Sequence, residues 1–184
     1  MMQLETERLI LRPWSEEDAE DLYFYAKDDR VGPAAGWQPH TSVENSREII
    51  RTVLSAPESY AMVLKSTGRP VGCAGIMMAP QGNRDMGEGE AEIGYWIGVP
   101  YWGQGLTPEA VRRLIERCFE ELNCTALWCA YFDGNEKSRR AMEKCGFRYH
   151  HTVEDCPTLL GDSRVEHVCR LTKEEWQETA RPVS

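Results

Sequence analysis

The chain lacks several features that would place it directly in a class of proteins. It contains no run of about 18 apolar residues, so we expect no transmembrane helix. The segment from Met1 to Glu7 is polar and acidic rather than basic and then apolar, so we expect no signal peptide and a cytoplasmic protein. Repeats and low-complexity tracts are also missing. The length predicts a single domain over residues 1–184, with its core at about 4–171.

Metal-binding patterns and excess positive charge are missing as well. None of the seven cysteines forms a Cys-x-x-Cys pair and the four histidines show no ligand spacing, so we predict no metal site. We interpret the cysteines as reduced, buried, small apolar residues. The 21 Lys and Arg against 30 Asp and Glu give a net charge of −9, which argues against nucleic-acid binding. This charge suits the attraction of a cationic small molecule or peptide, or simply keeps the protein in solution.

What the chain does contain is an alternation of strand and helix signals. The predicted strands cover 4–14, 60–65, 70–77, 90–99, 126–132, 147–153 and 164–171. The predicted helices run from a Ser15 cap to about 27, from a Thr41 cap to the residues before Pro57, and over 108–122 and 135–145. Residues 28–40 and 79–89 are predicted to be connections. This order predicts a mixed α/β fold around one sheet.

The most informative segment is the glycine-flanked turn Gly103-Gln104-Gly105, which joins a strand to a helix. With Thr107 as the expected N-cap and Pro108 as the first helical residue, several N–H groups of the turn face the positive end of the helix. Such a turn is typical of an anion site, most often one for phosphate. The alternative is an ordinary turn whose glycines provide positive φ angles.

Four segments, in matching order and spacing, carry a family resemblance over residues 4–171. They are Thr6-Glu7-Arg8-Leu9-Ile10-Leu11-Arg12, Glu92-Ile93-Gly94-Tyr95-Trp96-Ile97, the turn, and the run from Asn135 through Gly146-Phe147. With them the chain resembles the GNAT superfamily of acyl-coenzyme A transferases, and most of all the branch containing the ribosomal-protein N-terminal alanine acetyltransferases. The resemblance implies a central, mostly antiparallel sheet of six to seven strands, splayed at its middle and flanked by about four helices.

The resemblance also implies an activity and a set of cofactor contacts. The expected reaction is direct acetyl transfer from acetyl-CoA, with coenzyme A as product, to a primary amine on a protein N-terminus, a small amine or an aminoglycoside. The protein would be a monomer or a homodimer. Two alternatives remain open, a non-catalytic acyl-CoA-binding sensor and a partner-binding module. The implied contacts are Ile97, Gly98 and Val99 with the pantetheine arm and thioester; Trp102, Gly103, Gln104, Gly105, Leu106 and Thr107 with the pyrophosphate; and Asn135 and Ser138 with the arm and sulfur.

Catalytic roles follow partly from the residues and partly from the resemblance. Glu92 is our candidate base, because a carboxylate on a mostly buried central strand suits proton transfer near neutrality. Glu90 is the second choice and an acceptor-contact candidate. The alternative is that both glutamates line an open sheet edge or pair with arginines. Many family members place a Tyr where this chain has Met142, whose thioether cannot donate a proton. Ser138 is therefore the candidate proton donor.

The remaining candidates concern the acceptor and the 3′-phosphate. Trp37 and His40 are expected to form part of the acceptor pocket, because the early helices and their loop shape it in the family. For the 3′-phosphate the candidates are the basic residues of the 135–145 helix, with two arginines of the preceding helix competing. These residues are Lys137, Arg139, Arg140 and Lys144, against Arg112 and Arg113. Asn135 also has a purely structural interpretation, as the N-cap of its helix.

Overall fold

In the computed structural model, which describes residues 3–180, eight strands form one hydrogen-bonded sheet. They are β1 Leu4–Glu5, β2 Leu9–Pro13, β3 Ser59–Leu64, β4 Arg69–Met78, β5 Glu90–Ile97, β6 Ala126–Phe132, β7 Arg148–Pro157 and β8 Ser163–Thr172. Their order is β1-β2-β3-β4-β5-β6-β8-β7, and every neighbouring pair is antiparallel except β5 with β6. The mostly antiparallel fold is confirmed, with eight strands in place of six to seven. The segment from Met1 to Glu7, on which the expectation of no signal peptide rests, includes Met1 and Met2, and these two residues lie outside the described residues.

The described residues form six α-helices, two more than expected. They are α1 Ala19–Ala26, α2 Gly32–Ala35, α3 Val43–Thr52, α4 Leu106–Glu120, α5 Glu136–Lys144 and α6 Lys173–Ala180. The short α2 lies in the predicted 28–40 connection, and α6 follows β8. None of these helices is long and apolar enough to cross a membrane.

Side-chain caps explain where several elements begin. Ser15 and Asp18 form the predicted capping box, although a 3-10 turn at Glu16–Asp18 precedes α1. Ser42 rather than Thr41 caps α3, since its Oγ accepts from the Asn45 N–H at 2.9 Å. The predicted 4–14 strand is also wrong as one element. The chain reverses after Glu5, so that β1 and β2 form an antiparallel pair.

Helices cover both faces of the sheet because the strands alternate apolar side chains between them. Along β3, Tyr60 and Met62 belong to the larger apolar cluster, while Ala61 and Val63 belong to the smaller one. The larger cluster includes the buried face of α4, and the smaller one includes residues of α1 and α3. Six of the seven cysteines are buried and all are free, as their interpretation as small apolar residues requires.

The sheet opens between β5 and β6. These parallel strands share only three register pairs, Glu90–Ala126, Ala91–Leu127 and Glu92–Trp128. Beyond them β5 stays paired with β4 as far as Ile97, and β6 stays paired with β8 as far as Phe132. The expected mid-sheet splay therefore begins after Glu92.

Candidate active site

Two cavities meet where β5 and β6 separate. The first has a volume of about 740 Å³ and the second about 560 Å³. The residues that line both are Ala34, Ala35, Tyr95, Trp96, Phe132, Asn135 and Ser138. A group bound in the first cavity can therefore meet a group bound in the second beside Tyr95 and Ser138.

The glycine turn forms one wall of the first cavity. Gly103 and Gly105 have φ angles of +76° and +77°, which strain any residue with a Cβ. Gly105 is the N-cap of α4, and its carbonyl accepts from the Glu109 N–H at 3.2 Å. The prediction of Thr107 as N-cap was therefore wrong by two residues. Pro108 still lies in the first turn, where its missing N–H costs nothing.

This turn has the properties of an anion site. Within residues 3–180, the N–H groups of residues 103–107 have no hydrogen-bond acceptor. They lie at the positive end of the 15-residue helix α4, where an anion is stabilised. Arg8 secures the turn from outside, donating from Nη1 to the Gln104 carbonyl at 2.9 Å. Of the predicted turn residues, Trp102, Gly103, Gly105 and Thr107 line the cavity, whereas Leu106 is buried in the core.

Cationic side chains outnumber carboxylates in the lining of the first cavity. Five cations, Arg30, Lys137, Arg140, Lys144 and Arg164, face it together with one carboxylate, Asp133. Arg30 and Arg164 are paired with nearby aspartates. Lys137, Arg140 and Lys144 have no ion-pair partner among the described residues, so they are the cations available to a ligand.

Arg139 of the same helix and the two competing candidates, Arg112 and Arg113, are engaged elsewhere. Arg139 is paired with Glu136 and Glu143 on its own helix. Arg112 donates to the Lys144 carbonyl at 3.2 Å, and Arg113 lies near Glu116 and Glu121. None of the three arginines is among the residues that line the cavity.

The end of β5 differs in detail from the expectation. The Gly98 N–H donates to the Val71 carbonyl at 2.8 Å and its own carbonyl accepts from the Tyr101 N–H, so the Gly98 backbone is not free for the implied contact with the pantetheine arm. Strand alternation then turns the Ile97 N–H away from β4 and toward the gap. Gly98 is required for packing, because a Cβ there would lie 2.5 Å from Cδ1 of Tyr25. Gly98 and Val99 are not among the cavity-lining residues, whereas Ile97 is.

Trp102 links this strand end to α5. Its Nε1 donates to the Ile97 carbonyl at 3.0 Å, and the Lys137 ammonium lies 3.3 Å from the centre of its ring. The second contact is a cation–π interaction. The indole therefore fixes the backbone of Ile97 and holds Lys137 at the wall of the cavity.

Ser138 and Tyr95 form a hydrogen-bonded pair at the junction of the cavities. The Ser138 Oγ lies 2.8 Å from the Tyr95 hydroxyl. The single proton of that hydroxyl can go to the Ser138 Oγ or to the Ser138 carbonyl, whose oxygen lies 3.2 Å away. Burial raises the pKa of Tyr95 well above its usual range, so the phenol stays protonated. Tyr95 was not predicted as a site residue. Its place on the unpaired part of β5 identifies it only once the opening between the strands is known.

The neighbours of this pair have clear structural roles. The Asn135 Oδ1 accepts from the Ser138 N–H at 3.3 Å, which makes Asn135 the N-cap of α5 and leaves its Nδ2 without an acceptor among the described residues. Met142 is only 2% exposed, packs in the core and lines neither cavity. The position at which the family resemblance implies a Tyr is therefore closed to a ligand here.

Glu92 lies in the wall of the second cavity and is 3% exposed. Its Oε1 accepts from the Asn83 Nδ2 at 3.0 Å and from the Asn83 N–H at 3.3 Å. Its Oε2 pairs with the Arg84 guanidinium, which also contacts Glu166 at 3.3 Å. Asn83 and Arg84 belong to the 79–89 connection, whose sequence shows no periodicity that would have indicated them.

The alternative interpretation of the two glutamates, pairing with arginines, is observed for both. Glu90 contacts Arg170 at 3.3 Å and accepts from the Trp128 Nε1 at 2.9 Å. It lines neither cavity. Glu92 is therefore the glutamate of β5 that a ligand in the gap can approach.

The two acceptor-pocket candidates differ. Trp37 lines the second cavity, with its ring centre 5.8 Å from that of Trp96. His40 lines neither cavity. It is 8% exposed and its Nδ1 lies 2.8 Å from the buried Ser46 Oγ, while burial lowers its pKa. His40 thus fixes the loop before α3 rather than forming the pocket.

Comparison with known proteins gives consistent matches. Residues 8–148 match the family model described as the acetyltransferase (GNAT) domain. The uncharacterized N-acetyltransferase p20 of Bacillus licheniformis is 30% identical over 181 residues, which are 96% of this chain and 99% of that protein.

Two solved structures show the same fold. The GNAT-family acetyltransferase from Bacillus anthracis superposes with a TM-score of 0.79 at 22% identity, over 94% of this chain and 99% of that one. Mycobacterium smegmatis RimJ, solved in complex with CoA-disulfide, has a TM-score of 0.76 at 22% identity, over 95% of this chain and 88% of that one.

Proposed function

Because the chain belongs to the GNAT acetyltransferase family, we propose that it transfers the acetyl group of acetyl-CoA directly to a primary amine. The observation that carries this proposal is the meeting of two oppositely charged cavities at Tyr95 and Ser138. A cation-rich cavity suits a ligand bearing several phosphates. An acidic cavity suits an amine that arrives as an ammonium ion.

The hydrogen-bond donors and cations of the first cavity match the phosphates and carbonyl groups of coenzyme A. The N–H groups of residues 103–107 would hold the pyrophosphate, and Lys137, Arg140 and Lys144 would hold the 3′-phosphate. The Ile97 N–H and the Asn135 Nδ2 would bond the pantetheine arm and the thioester carbonyl. Acetyl-CoA supplies an acyl group that is activated as a thioester.

Ser138 stabilises the departing sulfur by hydrogen bonding in this proposal. A serine hydroxyl is a far weaker acid than a thiol, whose pKa is about 8.5, so its proton stays on oxygen. In this arrangement the Tyr95 hydroxyl donates to the Ser138 Oγ, so the Ser138 proton points to the sulfur, and the N-terminus of α5 adds a favourable dipole. Negative charge on sulfur is thereby stabilised until the thiolate takes up the second proton, which the nitrogen loses as the amide forms.

Glu92 accepts the proton that the ammonium group loses. Both of its carboxylate oxygens are bonded to Asn83 and Arg84, so we assign the transfer to a water molecule between the amine and Glu92. Trp37, Trp96 and Phe132 supply apolar surface around the same cavity. The acceptor therefore carries a cationic amine next to apolar atoms, as in a small amine or the N-terminus of a peptide.

The test is thiol release from acetyl-CoA with a panel of amines. The panel holds alkyl monoamines and diamines, an aminoglycoside, and a peptide with a free N-terminus beside the same peptide N-acetylated. We expect thiol release with at least one free amine and none with the acetylated peptide. Binding of coenzyme A is followed separately, as a rise in melting temperature.

Two results would contradict the proposal in different ways. Stabilisation by coenzyme A without thiol release from any amine would make the protein an acyl-CoA-binding sensor. Absence of both signals would favour a partner-binding role for the same fold.

A further inference from the structure

Arg84 lies between two carboxylates in the wall of the second cavity. Its guanidinium pairs with Glu92 through Nε and contacts the Glu166 Oε1 through Nη1 at 3.3 Å. Only 13% of the Arg84 side chain is exposed, against 4% for Glu92 and 16% for Glu166. The three side chains come from the 79–89 connection, β5 and β8, so the fold brings them together from distant parts of the sequence.

These three residues determine the charge of the second cavity. Among the described residues that line it, they are the only Asp, Glu, Lys or Arg. Two carboxylates and one guanidinium leave a single excess negative charge. One bound ammonium group balances that charge, whereas a second positive charge is not balanced and meets the guanidinium.

We propose that Arg84 is the residue that sets the charge of the acceptor, by selecting monocationic amines over dicationic ones. The selection works by repulsion of the wrong acceptor as much as by attraction of the right one. This inference rests on the proposed function, because it takes the second cavity as the acceptor site. It adds a specificity role for a residue that touches neither Ser138 nor Tyr95 in the described contacts.

Arg84 also helps to hold its loop, and that contribution must be separated from charge. Asn83 provides the means, because its two hydrogen bonds to the Glu92 Oε1 anchor the same loop without charge. Asn83→Ala therefore loosens the loop and leaves the charge of the cavity unchanged. Arg84→Met removes the charge, Arg84→Lys retains it, and Glu166→Gln changes the charge of the cavity in the opposite direction.

The experiment compares a linear alkyl monoamine with the diamine of the same chain length. For each variant we measure kcat/KM for both amines, and their Kd for the protein saturated with coenzyme A. We expect Arg84→Met to raise the diamine-to-monoamine preference about tenfold, and Glu166→Gln to lower it. Arg84→Lys and Asn83→Ala should keep it within about twofold of the native value. Arg170→Met is the matched control, since Arg170 pairs with Glu90 outside both cavities.

Each failure has its own signature. An unchanged preference in Arg84→Met, or an equal change in Asn83→Ala, would overturn the inference while acetyl transfer itself stands. Failure of both amines to bind the coenzyme A-loaded protein would overturn it as well. Binding preferences that shift as expected without any thiol release would overturn the proposed reaction and leave the charge selection in place.

Discussion

Replacing Ser138 by Ala should slow acetyl transfer by about 10- to 150-fold and change the Kd for coenzyme A by less than about threefold. The magnitude follows from one lost hydrogen bond to a charged sulfur. A hydrogen bond to a charged group contributes about 1.5–3 kcal/mol, and about 1.4 kcal/mol is tenfold in rate. The bond matters mainly once the thiolate forms, so the loss falls on kcat rather than on binding.

Tyr95→Phe extends this prediction, because the phenol acts through Ser138. The substitution removes the contacts at 2.8 and 3.2 Å and keeps the ring that fills the core. A neutral hydrogen bond contributes about 0.5–1.5 kcal/mol, so we expect a loss of about 2- to 10-fold. The double variant should be no slower than Ser138→Ala alone, since Tyr95 has then nothing to position.

The assay is single-turnover thiol release, with the enzyme in excess over acetyl-CoA and the amine saturating, and with Kd for coenzyme A measured by calorimetry. Tyr131→Phe serves as control, because Tyr131 lies in the second cavity and has no hydroxyl hydrogen bond among the described residues. If the rate loss of the double variant equals the product of the two single-variant losses, the positioning role of Tyr95 is refuted. Full single-turnover activity in Ser138→Ala would refute the assignment of Ser138.

Three further predictions concern other parts of the site. Glu92→Gln should slow acetyl transfer at least about tenfold without weakening the binding of coenzyme A. A pH–rate profile identical to the native one would exclude Glu92 as the base. Gly103→Ala should raise the Kd for coenzyme A by up to about fivefold in calorimetry. An alanine at this positive φ is strained by roughly 1 kcal/mol, and the ligand-free turn can relax that strain whereas the ligand-bound turn cannot. An unaltered Kd would argue against pyrophosphate binding at the turn. Gly98→Ala should lower the free energy of unfolding by about 1–3 kcal/mol in urea titrations through its clash with Tyr25, and native-like stability would show that the ring moves aside at no cost.

Local signals predicted most of the elements, and errors arose where a signal was read at the wrong residue or overlooked. Ser15 and Asp18 gave a correct capping box. The same pattern at Thr172 and Glu175 begins α6 and was overlooked. The Thr172 N–H donates to the Glu175 Oε1 at 2.9 Å, and the Glu175 N–H donates to the Thr172 Oγ1 at 3.2 Å. The reversal between β1 and β2 carries no glycine or proline, because its turn is closed by Thr6 and Leu9.

The phosphate turn was predictable because its function depends on backbone groups of consecutive residues. The surroundings of Glu92 were not, because its partners Asn83, Arg84 and Glu166 meet only in the folded chain. Gly98 illustrates a different difficulty. The family resemblance implied a cofactor contact at Gly98, whereas its close neighbour is the ring of Tyr25 in α1.

The short pairing of β5 with β6, over three register pairs, has a consequence for how much of the protein a cell retains. It divides the sheet into a five-stranded part and a three-stranded part, and these share few backbone bonds. A molecule filling the gap braces the two parts, and a ligand at a hundred times its Kd adds about 2.7 kcal/mol of stability. Proteases act on opened chains, so we expect the abundance of this enzyme to rise and fall with the supply of acetyl donor.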